Sequence, residues 1–183
     1  MHAKQMAAVI DAECFQSQHG LIVRELAVVK VDLDASSLEC AQHCLFEAPF
    51  DESLLRAKHR RCNRWLTAHM HGFEWAGRAG GGGEEYTLLP QILRAATSLA
   101  TEEIFCKGEE KRKLFSALVQ RPVINLETAG LPKLSEVGVE PSLSCKFGHR
   151  FSDHHCALQK ACLFAKWLLQ QQRAEGGYNI FYL

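Results

Sequence analysis

The sequence predicts an α/β protein in which a mixed β-sheet is flanked by helices. Residues 1–50 carry three β-compatible runs at short spacing, and helix-like and strand-like segments alternate after them. The chain then closes on a long amphipathic segment. Closely spaced strands are typical of an antiparallel meander, and the later alternation adds parallel strands with helices packed on the sheet.

The three N-terminal strands are predicted from runs of apolar and β-branched residues. These runs cover residues 6–14 (MAAVIDAEC), 20–33 (GLIVRELAVVKVDL) and 44–50 (CLFEAPF). Pro49 ends the third run because it cannot donate to a strand ladder. Residues 51–70 are predicted to be helical, since Asp51 is a suitable N-cap and apolar residues then recur at helical spacing.

A glycine-rich segment at 77–85 separates this part from the rest of the chain. It has no phosphate-loop spacing and no following Lys-Ser or Lys-Thr, so we interpret it as a flexible linker or lid. Helix and strand then alternate, with the first helix starting near Leu89 because Pro90 is unfavourable inside a helix. The predicted segments are helix 86–100, strand 102–108, helix 109–120, strand 122–130 and helix 155–172.

Composition narrows the class of protein. The chain has 183 residues, so residues 1–183 are most simply one domain. It carries 21 basic and 21 acidic side chains, and this balance argues against a broad positively charged surface for binding nucleic acid. No apolar run approaches the roughly 20 residues of a membrane span, so no membrane partner is expected. Eight cysteines without a secretory signal are expected to be thiols, which predicts an intracellular location, cytoplasmic or nuclear.

The first strand carries two acids that are candidates for chemistry. In VIDAECF, Asp11 and Glu13 stand two residues apart, so the period of a strand places both carboxylates on one face of the sheet. Two carboxylates held in this way can share a divalent cation, as two-metal phosphoryl-transfer enzymes require. A strand that ends in two solvated acids would give the same pattern.

The order of segments is that of the ribonuclease-H-like fold, and the chain resembles the DEDDh family of 3′–5′ exonucleases. The family's first motif, Asp-x-Glu on the first strand, is matched by Asp11 and Glu13. Its third motif, His-x-Ala-x-x-Asp opening the last helix, is matched by His155 and Ala157 in HCALQK. The resemblance implies that Asp11, Glu13 and His155 occupy catalytic positions.

Two positions depart from the family pattern. Lys160 stands where the third motif has its aspartate, and the second motif falls on Glu110 or Lys111, depending on a one-residue shift in the alignment. A lysine adds positive charge where the family places a carboxylate to bind a metal ion, and the metal ions supply much of the stabilisation in phosphoryl transfer. The resemblance therefore implies a degenerate nuclease site in which Lys160 can hold a phosphate by itself.

Cysteine and histidine are concentrated just before the last predicted helix. Cys145 and His149 flank a three-residue loop, a spacing that suits a pair of zinc ligands. The next local ligand is His154, His155 or Cys156. If His155 belongs to the exonuclease motif, Cys156 points elsewhere and is free to bind the metal.

Two families that carry cysteine and histidine ligands at a similar place make this prediction more specific. The arenavirus nucleoprotein exonuclease domain and the Maelstrom domain of the animal piRNA pathway both resemble DEDDh exonucleases and bind zinc through a Glu-Cys-His-Cys set. The resemblance implies a structural zinc held by Glu25 on the second strand with Cys145, His149 and Cys156. The Cys-x3-His spacing differs from the Cys-x2-His of Maelstrom domains and leaves His154 as a substitute ligand. Lys160 places the chain nearer the Maelstrom family, which has largely lost the DEDDh acids.

Two alternatives to this zinc set stay open. A second set would use the Cys-x3-Cys and His-x2-Cys spacings of Cys40, Cys44, His59 and Cys62, although Cys44 lies in a predicted strand and Cys62 on an apolar stripe. The other alternative is that no metal binds and the cysteines are small core residues.

One predicted helix combines basic and aromatic residues that can bind nucleic acid. In such a combination the arginines bind phosphates and the neighbouring aromatic rings stack on bases. The alternative is a helix with a solvated basic face and its tryptophans in the core. The residues concerned are Lys58, Arg60, Arg61, Arg64, Trp65, His69, His71 and Trp75.

Three functions follow from these observations. The first hypothesis is a zinc-stabilised, exonuclease-derived domain with a degenerate site. It would bind single-stranded nucleic acid, with RNA favoured over DNA, through Arg60, Arg61, Arg64 and Lys160. The second is an active 3′–5′ exonuclease or ribonuclease using Mg²⁺ or Mn²⁺. The third is a protein-interaction scaffold on a nuclease-like fold. The active enzyme would use Asp11, Glu13, Glu110 and His155, with a further acid such as Asp153.

Overall fold

A computed structural model describes residues 5–76, 83–98, 102–137, 143–147 and 156–174. Its five strands are β1 (Met6–Ser17), β2 (Gly20–Asp32), β3 (Ser37–Leu45), β4 (Glu103–Cys106) and β5 (Ile124–Asn125). The α-helices are α1 (Ala57–His69), α2 (Leu89–Ala96), α3 (Glu109–Val119) and α4 (Ala157–Ala174). Short 3-10 turns lie at Glu52–Leu54, Tyr86–Leu88 and Leu134–Glu136.

The strands form one mixed sheet in the order β3-β2-β1-β4-β5. β1 pairs antiparallel with β2, and β2 with β3, which gives the predicted meander. β4 pairs parallel with β1, and β5 parallel with β4. The predicted class, a mixed sheet flanked by helices, is confirmed.

The two faces of the sheet belong to different cores because successive strand residues alternate in direction. Val9 and Ala27 pack with α4 on one face, whereas Ile10 and Val28 pack with residues of α2 and α3 on the other. A third, smaller cluster at the end of the sheet contains Phe15 and residues that precede and follow α1. The odd-numbered residues of β1 therefore lie on the face covered by α4, and Asp11 is the next residue on this face after Val9.

The third strand lies earlier than predicted, at Ser37–Leu45 instead of 44–50. β3 is an edge strand, and residues 37–42 are exposed or half-buried, so its sequence is polar and carries little apolar signal. The prediction followed the apolar run 44–50 and was wrong for most of the strand. α1 also starts later than predicted, at Ala57, because the chain first forms the 3-10 turn at Glu52–Leu54.

The later elements agree with the predicted order; α2, α3, β4 and β5 are shorter than predicted, whereas α4 continues two residues further, to Ala174. The predicted strand 122–130 is regular only at Ile124–Asn125, because β5 pairs with just Phe105 and Cys106 at the sheet edge. The glycine-rich segment 77–85 is described only from residue 83 onward. Across the ranges that the structure describes, no helix is both long enough and apolar enough to cross a membrane.

Candidate functional site

The two acids of the first strand lie buried, side by side, on the face of the sheet covered by α4. Asp11 is 1% exposed and Glu13 is 7% exposed. The strand period places both carboxylates on this face, as the sequence predicts. Two carboxylates cannot stay ionised this close together in a buried place unless positive charge compensates them.

Two lysines supply that charge. Lys160, in the first turns of α4, contacts Glu13 Oε1 through its Nζ and lies 3.2 Å from Asp11 Oδ2. Lys111, in the first turn of α3, donates a hydrogen bond of 2.6 Å from Nζ to Asp11 Oδ1. The Lys160 side chain is only 15% exposed. The site is therefore a closed cluster of two carboxylates and two ammonium groups, with formal charges that cancel.

The electrostatics of this cluster favour its ion-paired state. Burial would raise the pKa of Asp11, but Lys111 and Lys160 outweigh it, so the pKa lies below its ordinary value. Burial would lower the pKa of Lys160, and the two carboxylates instead raise it. For Glu13 burial outweighs the attraction of Lys160 and raises the pKa, and the neighbouring Asp11 charge adds to this. Lys160 is thus held firmly as an ammonium ion.

The structure distinguishes the two alignments of the second exonuclease motif. Lys111 contacts Asp11, whereas the neighbouring Glu110 is exposed. The first turn of α3 thus presents a lysine, and Glu110 is not part of the carboxylate cluster. His155 and Asp153, the other residues considered for the active enzyme, lie outside the described residues.

A second polar cluster on the same face could hold a metal ion. It consists of Glu25 on β2, His43 on β3, Cys145 in the segment before α4, and Cys156 at the start of α4. One donor atom from each residue lies within 4.8 Å of every other. No other group of three or more such residues was found in the described part of the chain.

The donor chemistry and spacing fit a tetrahedral ion of the zinc type. Zn–N and Zn–S bonds of about 2.0–2.3 Å place neighbouring ligand atoms about 3.3–3.8 Å apart. Glu25 Oε1 lies 2.8 Å from His43 Nε2 and 3.5 Å from Cys156 Sγ, and Cys145 Sγ lies 4.0 Å from His43 Nε2. Burial and the Glu25 carboxylate raise the pKa of Cys156, so without a cation this thiol stays protonated. A bound cation would favour the thiolate and balance the fully buried carboxylate.

Three of the four predicted zinc ligands meet here, and the fourth partner in the structure is His43. His149 and its substitute His154 lie outside the described residues. His43 pairs with Ala27, so it is a diagonal neighbour of Glu25 across the two strands. Sequence analysis missed it because β3 was placed too late in the chain. The alternative set of Cys40, Cys44, His59 and Cys62 does not converge in the structure.

Both clusters are attached to the beginning of α4. Glu25 Oε2 accepts a 2.9 Å hydrogen bond from the backbone N–H of Ala157, one of the donors that a helix start leaves unpaired. The N–H of Lys160 donates to the carbonyl of Cys156 at 3.0 Å, which closes the first turn. Whatever holds Glu25 and Cys156 in place therefore also positions Lys160 over the acids.

The basic helix divides into structural and exposed residues. Arg60 donates from Nη1 to the carbonyl of Leu55 at 2.5 Å and thereby stabilises the entry to α1. Arg61 and Arg64 are exposed, and Trp65 is 54% exposed, one helical turn after Arg61. The expectation that the tryptophans lie in the core thus holds for Trp75, which is buried, but not for Trp65.

Comparison with known proteins identifies the fold and no closer relationship. No family model matches the chain, and no curated protein matches it. Among solved structures, a 3′-exonuclease described as recognising the 3′ end of a histone mRNA stem-loop has a TM-score of 0.62 at 11% identity, covering 95% of this chain and 84% of that one. A full-length 3′-exonuclease has a TM-score of 0.60 at 12% identity, over 96% and 84% of the two chains.

A more distant structural neighbour is Exonuclease I of E. coli in complex with a dT13 oligonucleotide. Its TM-score is 0.52 at 14% identity, over 96% of this chain and 43% of that one. At these identities the similarity concerns the fold alone. The chain therefore has a DEDDh exonuclease-like fold, as the order of its segments predicted.

Proposed function

We propose that this chain is an exonuclease-derived domain that has lost metal-dependent catalysis and binds single-stranded nucleic acid, RNA in preference to DNA. The observation that carries the proposal is the position of Lys160, whose ammonium group lies between Asp11 and Glu13. In a working two-metal site the same carboxylates would hold divalent cations that activate the nucleophile and stabilise the leaving group.

The charges explain why the lysines and catalytic metal ions exclude one another. Lys160 and Lys111 already neutralise the two carboxylates, so a divalent cation entering the cluster would meet a site of zero net charge. Binding of a cation would require Lys160 to move away from both carboxylates, which stabilise its ammonium form and raise its pKa. The lysines carry fixed positive charge but cannot lower the pKa of a bound water or span an in-line displacement. Both ammonium groups are paired with the acids and largely buried, so we assign the phosphate contacts to the exposed face of α1 and not to Lys160.

The exposed face of α1 supplies the contacts that a flexible strand needs. Trp65 offers an open aromatic surface for base stacking, and Arg61 and Arg64 provide charge beside it. Two structural neighbours are described with nucleic acid, one with an mRNA stem-loop and one with a dT13 oligonucleotide. These descriptions support a nucleic-acid ligand for this fold.

We further propose that the metal of the second cluster is zinc and that its role is structural. Two cysteines, one histidine and one carboxylate form a set of four protein ligands, which is typical of closed structural zinc sites. The ion would fasten the start of α4 to β2 and β3 through the residues that contact Glu25. Because the thiolate ligands must stay reduced, we place the protein in a reducing, intracellular compartment.

Replacing Trp65 with alanine tests the nucleic-acid proposal without disturbing the core. We expect the affinity for a labelled single-stranded RNA to fall about five- to 150-fold, since stacking on an aromatic side chain contributes roughly 1–3 kcal/mol per base. The measurement is fluorescence anisotropy at low ionic strength in buffer free of added divalent cations. Binding by the wild type should weaken linearly on a log–log plot of affinity against salt concentration.

Leu54 provides the matched control, because it is another exposed apolar residue, 65% accessible, next to the same helix. Leu54→Ala should leave the affinity unchanged. If the wild type shows no salt-sensitive binding to single-stranded RNA or DNA, the nucleic-acid proposal fails and the protein-interaction scaffold becomes the better account.

A further inference from the structure

A large pocket lies next to Arg24 of β2 and Leu45 at the C-terminal end of β3, away from the carboxylate cluster. Its volume is about 1220 Å³, and the segments that follow β3 and α1 form its walls. None of Asp11, Glu13, Lys111 and Lys160 is among its lining residues. It is therefore a separate site, large enough for a small organic ligand.

The guanidinium of Arg24 is a buried positive group in the lining of this pocket. Arg24 is the extra residue of a β-bulge, since Glu13 pairs with Glu25 and Cys14 with Val23. A bulge redirects a side chain, and this one is only 5% exposed. Its Nη1 donates to the carbonyl of Trp75, and its Nε has no hydrogen-bond acceptor among the described residues.

Among the described residues, Arg24 also has no carboxylate partner. No ion pair among the described residues involves Arg24. The carboxylate with the largest effect on its pKa is that of Glu47, which is exposed. Burial lowers the pKa of Arg24 to about 10, as expected for a cation with too little compensating charge. A buried guanidinium with an open donor is the usual complement of a phosphate or carboxylate group.

Aromatic rings line the pocket beside this arginine. Trp75 is fixed by a 2.9 Å hydrogen bond from its Nε1 to the carbonyl of Phe50, and its ring lies 5.4 Å from that of Phe15. Phe73 and Phe147 are half-buried and also face the pocket. Rings held in this way offer stacking surfaces for a planar group at little further ordering cost.

The rim of the pocket does not attract a long anionic strand. Its acidic and basic side chains occur in similar numbers, and Arg64 lies 3.8 Å from Glu52. Arg24 adds a buried positive charge that forms no ion pair among the described residues. We propose that the pocket binds one nucleotide, with its phosphate on Arg24 and its base against the aromatic wall. This site goes beyond the strand-binding function; of Arg61, Arg64 and Trp65, only Arg64 also lines the pocket.

Calorimetric titration of the full chain with adenosine 5′-monophosphate tests this proposal. We expect binding, with adenosine and inorganic phosphate each at least tenfold weaker, because each probe keeps only one of the two contacts. Arg24→Met should weaken binding of the nucleotide at least tenfold, and Arg24→Lys, which keeps the charge without the fork, should recover part of it. Arg173→Met, which alters an exposed arginine at the end of α4 and outside the pocket lining, should change nothing.

A rim variant keeps the test decisive if the Arg24 variants fold poorly. Glu74 is exposed and lines the pocket, so Glu74→Lys should leave the fold intact and tighten nucleotide binding about threefold. Equal affinity for adenosine and its monophosphate, tighter binding of an aromatic carboxylate such as phenylacetate, or no response to Glu74→Lys would each overturn the proposal. Strand binding that persists while mononucleotides fail to bind would contradict this inference alone and leave the strand-binding function standing.

Discussion

Replacing Cys156 with serine is expected to abolish the proposed zinc binding and to lower the free energy of unfolding by about 3–5 kcal/mol. Cys156 Sγ contacts Glu25, whose side chain is fully buried. Without the ion, the Glu25 carboxylate is left as a buried charge with too little compensation, which costs several kcal/mol. Metal analysis of the purified protein and denaturant unfolding measure the two effects.

Three further variants make this experiment specific. Cys40→Ser alters an exposed cysteine of the alternative zinc set and should retain one zinc per chain with near wild-type stability. His43→Ala should lose the zinc, whereas His149→Ala should keep it if the four converging residues are the complete ligand set. Equal zinc content in the wild type and in Cys156→Ser would refute the metal site. Loss of zinc in His149→Ala with retention in His43→Ala would refute the assignment of His43.

Replacing Lys160 with methionine is expected to destabilise the fold by about 3–5 kcal/mol. Methionine has a similar length but no charge, so Glu13 and Asp11 would lose the ammonium group that lies between them while staying buried. Lys113 is the matched control, because it is a lysine of α3 whose side chain is 70% exposed and lies 3.8 Å from Glu109. Lys113→Met should change stability by less than about 0.5 kcal/mol.

The pH dependence of this difference follows from the directions of the pKa shifts. The pKa of Asp11 is lowered, so its contribution is present above its unfolded value of about 3.9 and is lost as pH falls through the folded value. The pKa of Lys160 is raised, so its contribution is present below about 10.4 and is lost only as pH rises through the higher folded value. The pKa of Glu13 is raised by burial and would rise further without the Lys160 charge. The stability gap between wild type and Lys160→Met should therefore shrink as pH falls from neutral into the acid range. Equal stability of Lys160→Met and Lys113→Met near pH 7 would contradict the account of the cluster.

Local spacing predicted much of the carboxylate cluster. The two-residue period of a strand is enough to place Asp11 and Glu13 on one face, whereas only the resemblance to the third exonuclease motif implied that Lys160 lies near them. The choice between Glu110 and Lys111 could not be made in this way. It depends on where α3 starts relative to β1, and a shift of one residue turns a helical side chain by roughly 100°.

The parts that sequence analysis missed depend on pairing between distant segments. His43 reaches Glu25 only through the register of β3 against β2, and the polar sequence of this edge strand concealed its position. Arg24 is redirected by a bulge between β1 and β2, which leaves no distinct pattern of residues. Registers and bulges are set by the cooperative packing of whole strands, so a single run of residues does not reveal them.

The two clusters on the α4 face are coupled through the first turn of that helix. Glu25 accepts the hydrogen bond from Ala157, and Cys156 closes the turn with Lys160. We infer that the metal site, once occupied, keeps Lys160 over the acids, which is the arrangement on which the proposed loss of catalysis depends.

A nuclease assay on the wild type and on Asp11→Ala tests the central claim most directly. Labelled single-stranded RNA would be incubated with each protein, zinc-loaded and folded, at saturating Mg²⁺ and then Mn²⁺. Because Lys111 and Lys160 occupy the carboxylate pair, we predict no cation-dependent cleavage and no difference between the two proteins. Cation-dependent degradation of RNA by the wild type that disappears in Asp11→Ala would show an active nuclease and contradict the proposal.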